Sequence, residues 1–134
     1  MHVHGRCHCG AIAFEAEVEP SAVVICHCTD CQTLSGTVYR AGISAKAEGF
    51  VLTGIEPSRY VKTGTSGAKR THAFCPICGT PIYSAALENP DRYTLRVGTI
   101  AERKALGAPQ RQQWCVSALP WAETIADVPK LARQ

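Results

Sequence analysis

Seven of the eight cysteines lie in three short clusters, and their spacing is the strongest chemical signal in the chain. The clusters are Cys7-His8-Cys9, Cys26-His27-Cys28-Thr29-Asp30-Cys31 and Cys75-Pro76-Ile77-Cys78. Cysteines one or two residues apart cannot easily bridge each other as disulfides, but they can readily point their sulfurs at one metal ion. The pattern therefore predicts a zinc protein with two metal ions per chain.

Four of these thiolates suit a closed, structural zinc site. Cys75-x-x-Cys78 followed by Gly79 has the form of a zinc knuckle, and Cys7-x-Cys9 supplies two further sulfurs. Four thiolates leave no position for a substrate, so this metal would tie the amino-terminal strand to a hairpin in the middle of the chain. A redox dithiol at Cys75 and Cys78 is the alternative, but the chain lacks the βαβ pattern of thioredoxin-like proteins.

The remaining cluster, Cys26, Cys28 and Cys31, can hold three corners of a tetrahedron and leave the fourth free. Zinc bound by three thiolates carries net negative charge, so it activates water poorly and is better suited to a soft sulfur ligand. A thiol bound there would have a lower pKa and would be held as the nucleophilic thiolate. These three cysteines are therefore the candidate catalytic residues.

A histidine could instead fill the fourth position of this cluster. If His27, His8 or His72 did so, both metals would be structural and the protein would be a non-catalytic zinc-binding interaction module. The alternation of side chains along an extended segment points His27 away from its cysteine neighbours, which disfavours this alternative. Asp30 lies between two ligands and is expected to accept hydrogen bonds near the metal.

Length and composition predict a single zinc-binding domain over residues 1–134. Apolar residues make up 46 % of the chain, which is typical of a globular protein. No apolar run approaches the ~20 residues that span a bilayer, and no signal segment is recognisable. We therefore expect a cytoplasmic protein without membrane contact, in which clustered cysteines bind metal rather than form disulfides.

The net charge of +3 is small, and the basic residues are scattered rather than arranged in a stripe. Nucleic-acid binding is therefore not expected. An anionic thiol would be repelled by an anionic zinc centre unless cations offset the charge, so we expect one or more of Arg40, Lys69 and Arg70 to line the pocket. Ser35-Gly36, just after the open cluster, is a further pocket candidate because glycine permits close approach of a ligand to the backbone.

Short strands dominate the secondary structure predicted from the sequence. Alternation and β-branched or aromatic residues predict strands at 11–18, 38–43, 50–52, 59–61, 71–74 and 93–98. A helical turn is predicted at 29–35, and a short helix at 120–124 that begins with a proline. The fold class expected is mainly β, built from short antiparallel sheets with little helix.

A family resemblance accompanies these motifs over nearly the whole chain. The segments that carry it are Gly5-Arg6-Cys7-His8-Cys9-Gly10, Cys26-His27-Cys28-Thr29-Asp30-Cys31, Phe74-Cys75-Pro76-Ile77-Cys78-Gly79, Val97-Gly98-Thr99-Ile100 and Leu119-Pro120-Trp121. Their order resembles that of the glutathione-dependent formaldehyde-activating enzyme family.

The resemblance implies a β-tent fold and a carbon–sulfur lyase activity on a glutathione-like thiol or its hemithioacetal or thioether adduct. It also implies two zinc sites, and the chain fills all seven of their cysteine positions. The structural zinc would be held by Cys7, Cys9, Cys75 and Cys78, and the catalytic zinc by Cys26, Cys28 and Cys31.

The eighth cysteine, Cys115, is expected to be a small buried residue in a strand. The alternative is a reactive thiol, since its surroundings look locally like the catalytic-cysteine strand of β-tent methionine sulfoxide reductases. A reductase-like redox enzyme using Cys115 is therefore a second, less favoured function. Most aromatic residues, including Trp114 and Trp121, are expected in the core.

Overall fold

The computed structural model describes residues 1–133, and ten short strands dominate it. In chain order they are β1 (His2–Arg6), β2 (Ile12–Glu17), β3 (Val24–Cys26), β4 (Arg40–Lys46), β5 (Val51–Gly54), β6 (Ser58–Thr63), β7 (Lys69–Phe74), β8 (Pro81–Ala86), β9 (Arg92–Arg96) and β10 (Arg111–Gln113). They form a three-stranded sheet, β1-β2-β5, and a seven-stranded sheet, β10-β3-β4-β9-β8-β7-β6. Strand pairs are antiparallel except β10 with β3, which is parallel. The mainly β prediction is confirmed.

Helix is sparse, as expected. The single α-helix of the described chain is α1 (Thr29–Ser35), and five 3₁₀ helices lie at Val97–Thr99, Arg103–Ala105, Cys115–Ser117, Pro120–Glu123 and Ile125–Asp127. Helix α1 begins where the Cys28 sulfur accepts the Cys31 N–H, and it ends at Gly36, whose left-handed φ of 67° closes the last turn. No helix within residues 1–133 is long and apolar enough to cross a membrane.

The hydrophobic core draws on both sheets. Val3, Phe14, Ile43 and Leu95 are almost fully buried and belong to β1, β2, β4 and β9. The Phe14 ring packs directly on Gly5, where an added Cβ would lie 2.0 Å from the ring. Period-two alternation therefore sends one set of side chains from each sheet into a shared interior.

The opposite face of the seven-stranded sheet is polar. On β4 this face carries residues 40, 42 and 44, on β7 it carries 70 and 72, and on β9 it carries 92, 94 and 96. Core residues such as Ile43 and Leu95 occupy the alternate positions. The same alternation that builds the core thus gathers arginine, histidine and serine side chains on the other face.

Four strands escape the sequence analysis. β1, β3, β8 and β10 were not predicted, and the expected strand at 38–43 is shifted to Arg40–Lys46. β10 has the sequence Arg-Gln-Gln, which has no preference for extended structure, and it is held by pairing with β3. Pairing partners distant in the sequence therefore decide these elements, rather than local preference.

Two expectations about buried residues are wrong. Cys115 is exposed and opens a 3₁₀ helix, because the chain leaves β10 through Trp114 in a left-handed conformation, φ 57°. Trp114 and Trp121 are also exposed, at 59 % and 51 %. In contrast, Tyr83 belongs to the core, and the rings of Phe50 and Tyr93, stacked on each other at 4.3 Å, both pack edge-on against it.

Candidate metal centres and an adjoining cavity

The first cysteine cluster connects the two sheets. Cys7 and Cys9 lie in the turn from β1 to β2, and Cys75 and Cys78 lie in the turn from β7 to β8. The first turn belongs to the three-stranded sheet and the second to the seven-stranded sheet. Cys7 and Cys75 are fully buried, whereas Cys9 and Cys78 are at the surface. The structure thus brings together the four residues predicted for the structural zinc.

The spacing of the four sulfurs suits a tetrahedral zinc ion. The Sγ of Cys9 lies 3.5 Å from that of Cys7 and 3.8 Å from that of Cys75, and all four sulfurs fall within 4.8 Å of one another. A Zn–S bond of about 2.3 Å places tetrahedral sulfurs about 3.8 Å apart. These separations are far longer than a disulfide bond, and all the cysteines are free thiols.

Polar groups already stabilise thiolates at this cluster. The Ile12 N–H donates to the Cys7 Sγ at 3.3 Å. The Thr80 hydroxyl lies 3.1 Å from the Cys78 Sγ, and together with backbone N–H donors it lowers the pKa of Cys78 to about 5. Against an opposing backbone hydrogen bond, partial desolvation and the neighbouring sulfurs raise the pKa of Cys9 to about 12, so four thiolates would form together only with a cation among them.

The second cluster forms where β3 leads into α1. Cys26 ends β3, Cys28 is the N-cap of α1, and Cys31 lies in its first turn. Their sulfurs lie within 4.8 Å of one another, and the Cys31 N–H donates to the Cys28 Sγ at 3.3 Å. Burial, with competition from the Cys28 and Cys26 sulfurs, raises the pKa of Cys31 to about 12. Three thiolates therefore require a cation, and the donor set fits zinc with one position open.

A cavity of about 620 Å³ adjoins this second cluster. Its floor is the polar face of the seven-stranded sheet, and Cys26 and Cys31 form part of its wall. Trp114, exposed at the end of β10, lines it as well. Its volume is within the range of small-molecule sites, so a metal-bound thiol at the second cluster would have room to extend over the sheet.

Two buried arginines give the cavity a strong positive charge. Arg40 and Arg96 are each about 8 % exposed, and the Nε atom of each lacks a hydrogen-bond partner. Arg40 of β4 lies directly opposite Cys26 of β3, so the arginine and the three-cysteine cluster are on neighbouring strands. Burial and the nearby charge of Arg40 lower the pKa of Arg96 to about 9. Neither guanidinium forms an ion pair with a carboxylate of residues 1–133, and the acidic groups that act on them are Asp30 on Arg40 and the Cys31 sulfur on both arginines.

His72 lies on the same face of the sheet. Its Nδ1 is 3.4 Å from a terminal nitrogen of Arg96, and the residue lines the cavity. Burial, followed by the charges of Arg96 and Arg40, lowers the pKa of His72 to about 4. The imidazole is therefore neutral at neutral pH. Because Nδ1 faces an arginine donor, the ring proton belongs on Nε2.

None of the histidines considered as a fourth ligand joins either cysteine cluster. His27 is buried, but its Nε2 lies 2.6 Å from the Gln112 Oε1 and its ring packs edge-on against Tyr39. His8 is exposed, and His72 belongs to the cavity floor. Within residues 1–133, the metal-ligand groups that contain cysteine contain no histidine.

Other predicted pocket residues separate into two groups. Arg40 and Arg70 line the cavity, whereas Lys69 lies outside it, as do Ser35 and Gly36. The hydroxyl of Ser35 donates to the Cys31 carbonyl at 2.6 Å, and Gly36 closes α1, so this pair shapes the helix rather than the cavity.

Asp30 is held at the cavity rim by an ion pair. Its carboxylate contacts Lys62 of β6, and this contact lowers the pKa of Asp30 and raises that of Lys62. The Lys62 side chain lines the cavity, but Asp30 does not. Asp30 therefore accepts a hydrogen bond beside the three-cysteine cluster, as expected, and the donor is Lys62.

The sequence analysis missed several cationic residues of the cavity. They are Lys62, Arg92, Arg96 and Arg111. A signal was present in β9, where Arg92, Thr94 and Arg96 alternate at period two. That alternation places both arginines on one face, but only the sheet order shows that the face meets the second cluster.

A third group of metal-ligand atoms lies on the outer surface of the three-stranded sheet. His2, His4 and Glu15 are exposed, with donor atoms within 4.8 Å of one another. The Nδ1 atoms of the two histidines lie 2.8 Å from carboxylate oxygens of Glu17 and Glu102. The His2–Glu17 contact links β1 to β2, and the His4–Glu102 contact links β1 to the loop before the second 3₁₀ helix.

The comparisons with known proteins agree with this geometry. The model of the family described as "Glutathione-dependent formaldehyde-activating enzyme" matches residues 2–117. None of the curated proteins matches the chain. A crystal structure of a Rhodobacter sphaeroides protein, a structural-genomics target, is similar with a TM-score of 0.63 and 20 % identity. The similarity covers 82 % of this chain and 99 % of that one, and it supports the fold.

The family match spans both cysteine clusters, the cavity floor and the start of the carboxy-terminal 3₁₀ region. It agrees with the order of motifs in the sequence and with the assembly of seven cysteines into two clusters. The chain therefore belongs to the glutathione-dependent formaldehyde-activating enzyme family.

Proposed function

We propose that the protein is a zinc-dependent carbon–sulfur lyase acting on the adduct of an anionic thiol with an aldehyde. The observation that carries the proposal is the position of the three-cysteine cluster, which opens onto a cationic cavity of about 620 Å³. A structural metal has no need of such a cavity. The other cluster, with four cysteines, would hold the structural zinc.

The proposed reaction interconverts a thiol plus an aldehyde with a hemithioacetal. In the forming direction a C–S bond is made, the carbonyl π bond breaks, and the thiol proton ends on the new hydroxyl oxygen. The reverse direction breaks the C–S bond and returns the proton to sulfur. When bound by Cys26, Cys28 and Cys31, zinc would supply the Lewis acid that keeps the substrate sulfur as a thiolate.

The chain's own residues would bind and orient the remainder of the substrate. Arg40 and Arg96 line the cavity floor and would offer their terminal guanidinium nitrogens as donors. A substrate carboxylate can accept two parallel N–H donors from a guanidinium, which fixes orientation as well as adding binding energy. Trp114 lines the same cavity and would offer an apolar surface to the substrate.

His72 would stabilise the charge that develops on the aldehyde oxygen. It is neutral at neutral pH, it lines the cavity, and its Nδ1 is engaged by Arg96. Its Nε2–H could therefore donate a hydrogen bond to that oxygen as the C–S bond forms, while the proton released by the thiol reaches the oxygen through water. Removing a donor of this kind lowers the rate by about 10²–10³-fold.

Exchange spectroscopy by NMR tests the proposal on the zinc-loaded protein. A mixture of glutathione, formaldehyde and their hemithioacetal exchanges spontaneously, and the protein should accelerate that exchange. The Cys31→Ser variant serves as the matched control, because it loses one sulfur of the open cluster and keeps the four-cysteine cluster. Equal exchange rates with the two proteins would refute the lyase proposal for this adduct.

The two other functions predict different behaviour. A non-catalytic zinc-binding module would accelerate nothing and would bind no thiol. A reductase-like enzyme would depend on Cys115, which is exposed but belongs to neither cluster. Loss of activity in Cys115→Ser, rather than in Cys31→Ser, would favour that second function.

A further inference from the structure

We propose that the thiol ligand carries at least two oxyanionic groups, carboxylate or phosphate, and no ammonium group. The inference rests on the proposed thiol-binding function and concerns the part of the ligand that does not react. It separates the preferred ligand from glutathione itself, whose two carboxylates are accompanied by a free ammonium group. The distribution of charge over the cavity carries the argument.

The described lining of the cavity contains six basic side chains and no acidic one. The basic residues are Arg40, Lys62, Arg70, Arg92, Arg96 and Arg111. Asp30 contacts Lys62 from outside the lining and acts more weakly on Arg40, so one carboxylate stands against six basic side chains. A cavity with this excess raises the local concentration of anions and excludes cations.

Arg40 and Arg96 are buried, and the Nε–H donor of each lacks a protein partner. Arg40 and Arg96 lie on adjacent strands, with Gly42, two residues beyond Arg40, directly opposite Arg96. They are therefore diagonal neighbours on one face of the sheet, at a separation of about 7–8 Å between backbones. An arginine side chain stays protonated, so two such cations side by side are unfavourable until an anion lies between or above them.

Gly42, the floor residue opposite Arg96, leaves room for the Thr94 side chain. A Cβ added at this position would lie 2.8 Å from the Thr94 methyl group. The Nε atoms of Arg40 and Arg96 are inaccessible to solvent, so a ligand would meet the terminal guanidinium nitrogens. An oxyanion can accept hydrogen bonds from those nitrogens, whereas an apolar group would leave two neighbouring cations without a counter-ion.

An ammonium group has no carboxylate partner in the described lining. The uncharged acceptors there include hydroxyl groups of Ser44, Ser84 and Thr94 and amide oxygens of Gln110 and Gln113. None of these carries a negative charge, the sulfurs of Cys26 and Cys31 belong to the proposed zinc site, and the six cations repel an ammonium ion. A ligand in which that nitrogen is acylated or missing should therefore bind more tightly than its free-amine counterpart.

Calorimetric titration of the zinc-loaded protein with matched thiols tests the inference. In N-acetylglutathione a neutral acetamide replaces the ammonium group of glutathione, and we expect about tenfold tighter binding of the acetylated ligand at low salt. Equal affinities, or tighter binding of glutathione, would overturn the inference. S-Methylglutathione, which has no thiol, tests the proposed function separately. If it bound as tightly as glutathione, zinc–thiolate coordination would be refuted, but the inference about the charges of the ligand would not.

Two adjacent residues provide a matched pair of variants. Arg70 lines the cavity and Lys69 does not, and both are exposed residues of β7. Arg70→Gln should weaken N-acetylglutathione binding about three- to tenfold and reduce its advantage over glutathione, whereas Lys69→Gln should change neither. Equal effects of the two variants would show that general surface charge, and not the cavity, determines binding.

Competition distinguishes the two kinds of oxyanion at constant ionic strength set with chloride. Displacement of N-acetylglutathione by succinate but not by inorganic phosphate assigns a carboxylate-binding floor, and the opposite result assigns a phosphate-binding one. Displacement by neither would overturn the claim that oxyanions bind here.

Discussion

The two cysteine clusters use the same ligand chemistry in opposite surroundings. The four-cysteine cluster lies between two turns, one from each sheet, and its Cys7 and Cys75 are fully buried. The three-cysteine cluster lies at the end of β3 and the start of α1, beside a cavity lined by arginines. The four-cysteine cluster joins the β1–β2 turn of the three-stranded sheet to the β7–β8 turn of the seven-stranded sheet. The second joins only residues that are already close along the chain.

This difference explains why one cluster is expected to be structural and the other reactive. A metal that holds two sheets together contributes its binding free energy to folding. A metal held by residues within six positions of one another adds little to the fold, so its free coordination position can serve a ligand. The electrostatic surroundings support the same division, since the six basic side chains of the cavity face the second cluster.

The largest effect should come from breaking the four-cysteine cluster. Cys75→Ser or Cys78→Ser removes one ligand from a site whose metal contributes on the order of 10 kcal/mol to folding. We expect loss of that zinc and an unfolded or aggregated chain, measured by elemental analysis and circular dichroism. Cys115→Ser is the control, because Cys115 belongs to neither cluster, and it should remain folded with full metal content. A folded Cys75→Ser protein retaining both zinc ions would contradict the structural assignment.

Breaking the three-cysteine cluster should leave the fold intact. Cys28→Ser or Cys31→Ser should abolish thiol binding and activity, while the four-cysteine zinc and the thermal unfolding midpoint remain close to those of the unmodified protein. Titration with glutathione and a zinc count on the same sample measure both properties. Should these variants unfold as readily as Cys75→Ser, the two clusters would be equally structural.

Replacing His72 should separate catalysis from binding at the second cluster. His72→Leu removes the Nε2–H donor from the cavity floor, so turnover should fall by about 10²–10³-fold. The dissociation constant of glutathione should change little, since the sulfur ligands and arginines remain. The comparison of turnover with affinity is decisive here, because a purely structural role for His72 would change both or neither.

A smaller effect of His72 should appear in the pH dependence of stability. Its folded pKa is about 4, below the ordinary value of 6.5, so the unfolded chain binds a proton between these values and the folded chain does not. Its contribution to stability is therefore present above about pH 6.5 and is lost as the pH falls towards 4. His72→Gln should flatten the denaturant midpoint over this range. Identical pH profiles for the two proteins would show that His72 is not held neutral by burial.

The sequence predicts the clusters better than the cavity. The seven clustered cysteines can be recognised as metal ligands from the sequence, because cysteines one to three residues apart are held close together by the chain itself. Arg40 and Arg70 could be suspected from their positions near the clusters. Arg96 could not, because its place beside Arg40 depends on the pairing of β4 with β9, whose residues are about fifty positions apart.

The same limit applies to the carboxy-terminal region. β10 is placed by its parallel pairing with β3, far away in the sequence, and its own residues show no strand preference. This pairing also brings Gln112 to His27 and carries Trp114 to the cavity. Local patterns predict a strand with a buried Cys115, but β10 ends at Gln113 because Trp114 adopts a left-handed conformation, and Cys115 lies outside the strand.

X-ray absorption at the zinc edge tests the central contrast between a closed and an open cluster most directly. With both sites filled, the protein alone should show an average of about 3.5 sulfur ligands per zinc, because one site has four and the other three. Adding a saturating thiol such as N-acetylglutathione should raise the average to about 4, as sulfur takes the free position. An average of 4 before addition, or no change after it, would contradict the assignment of an open, thiol-binding zinc.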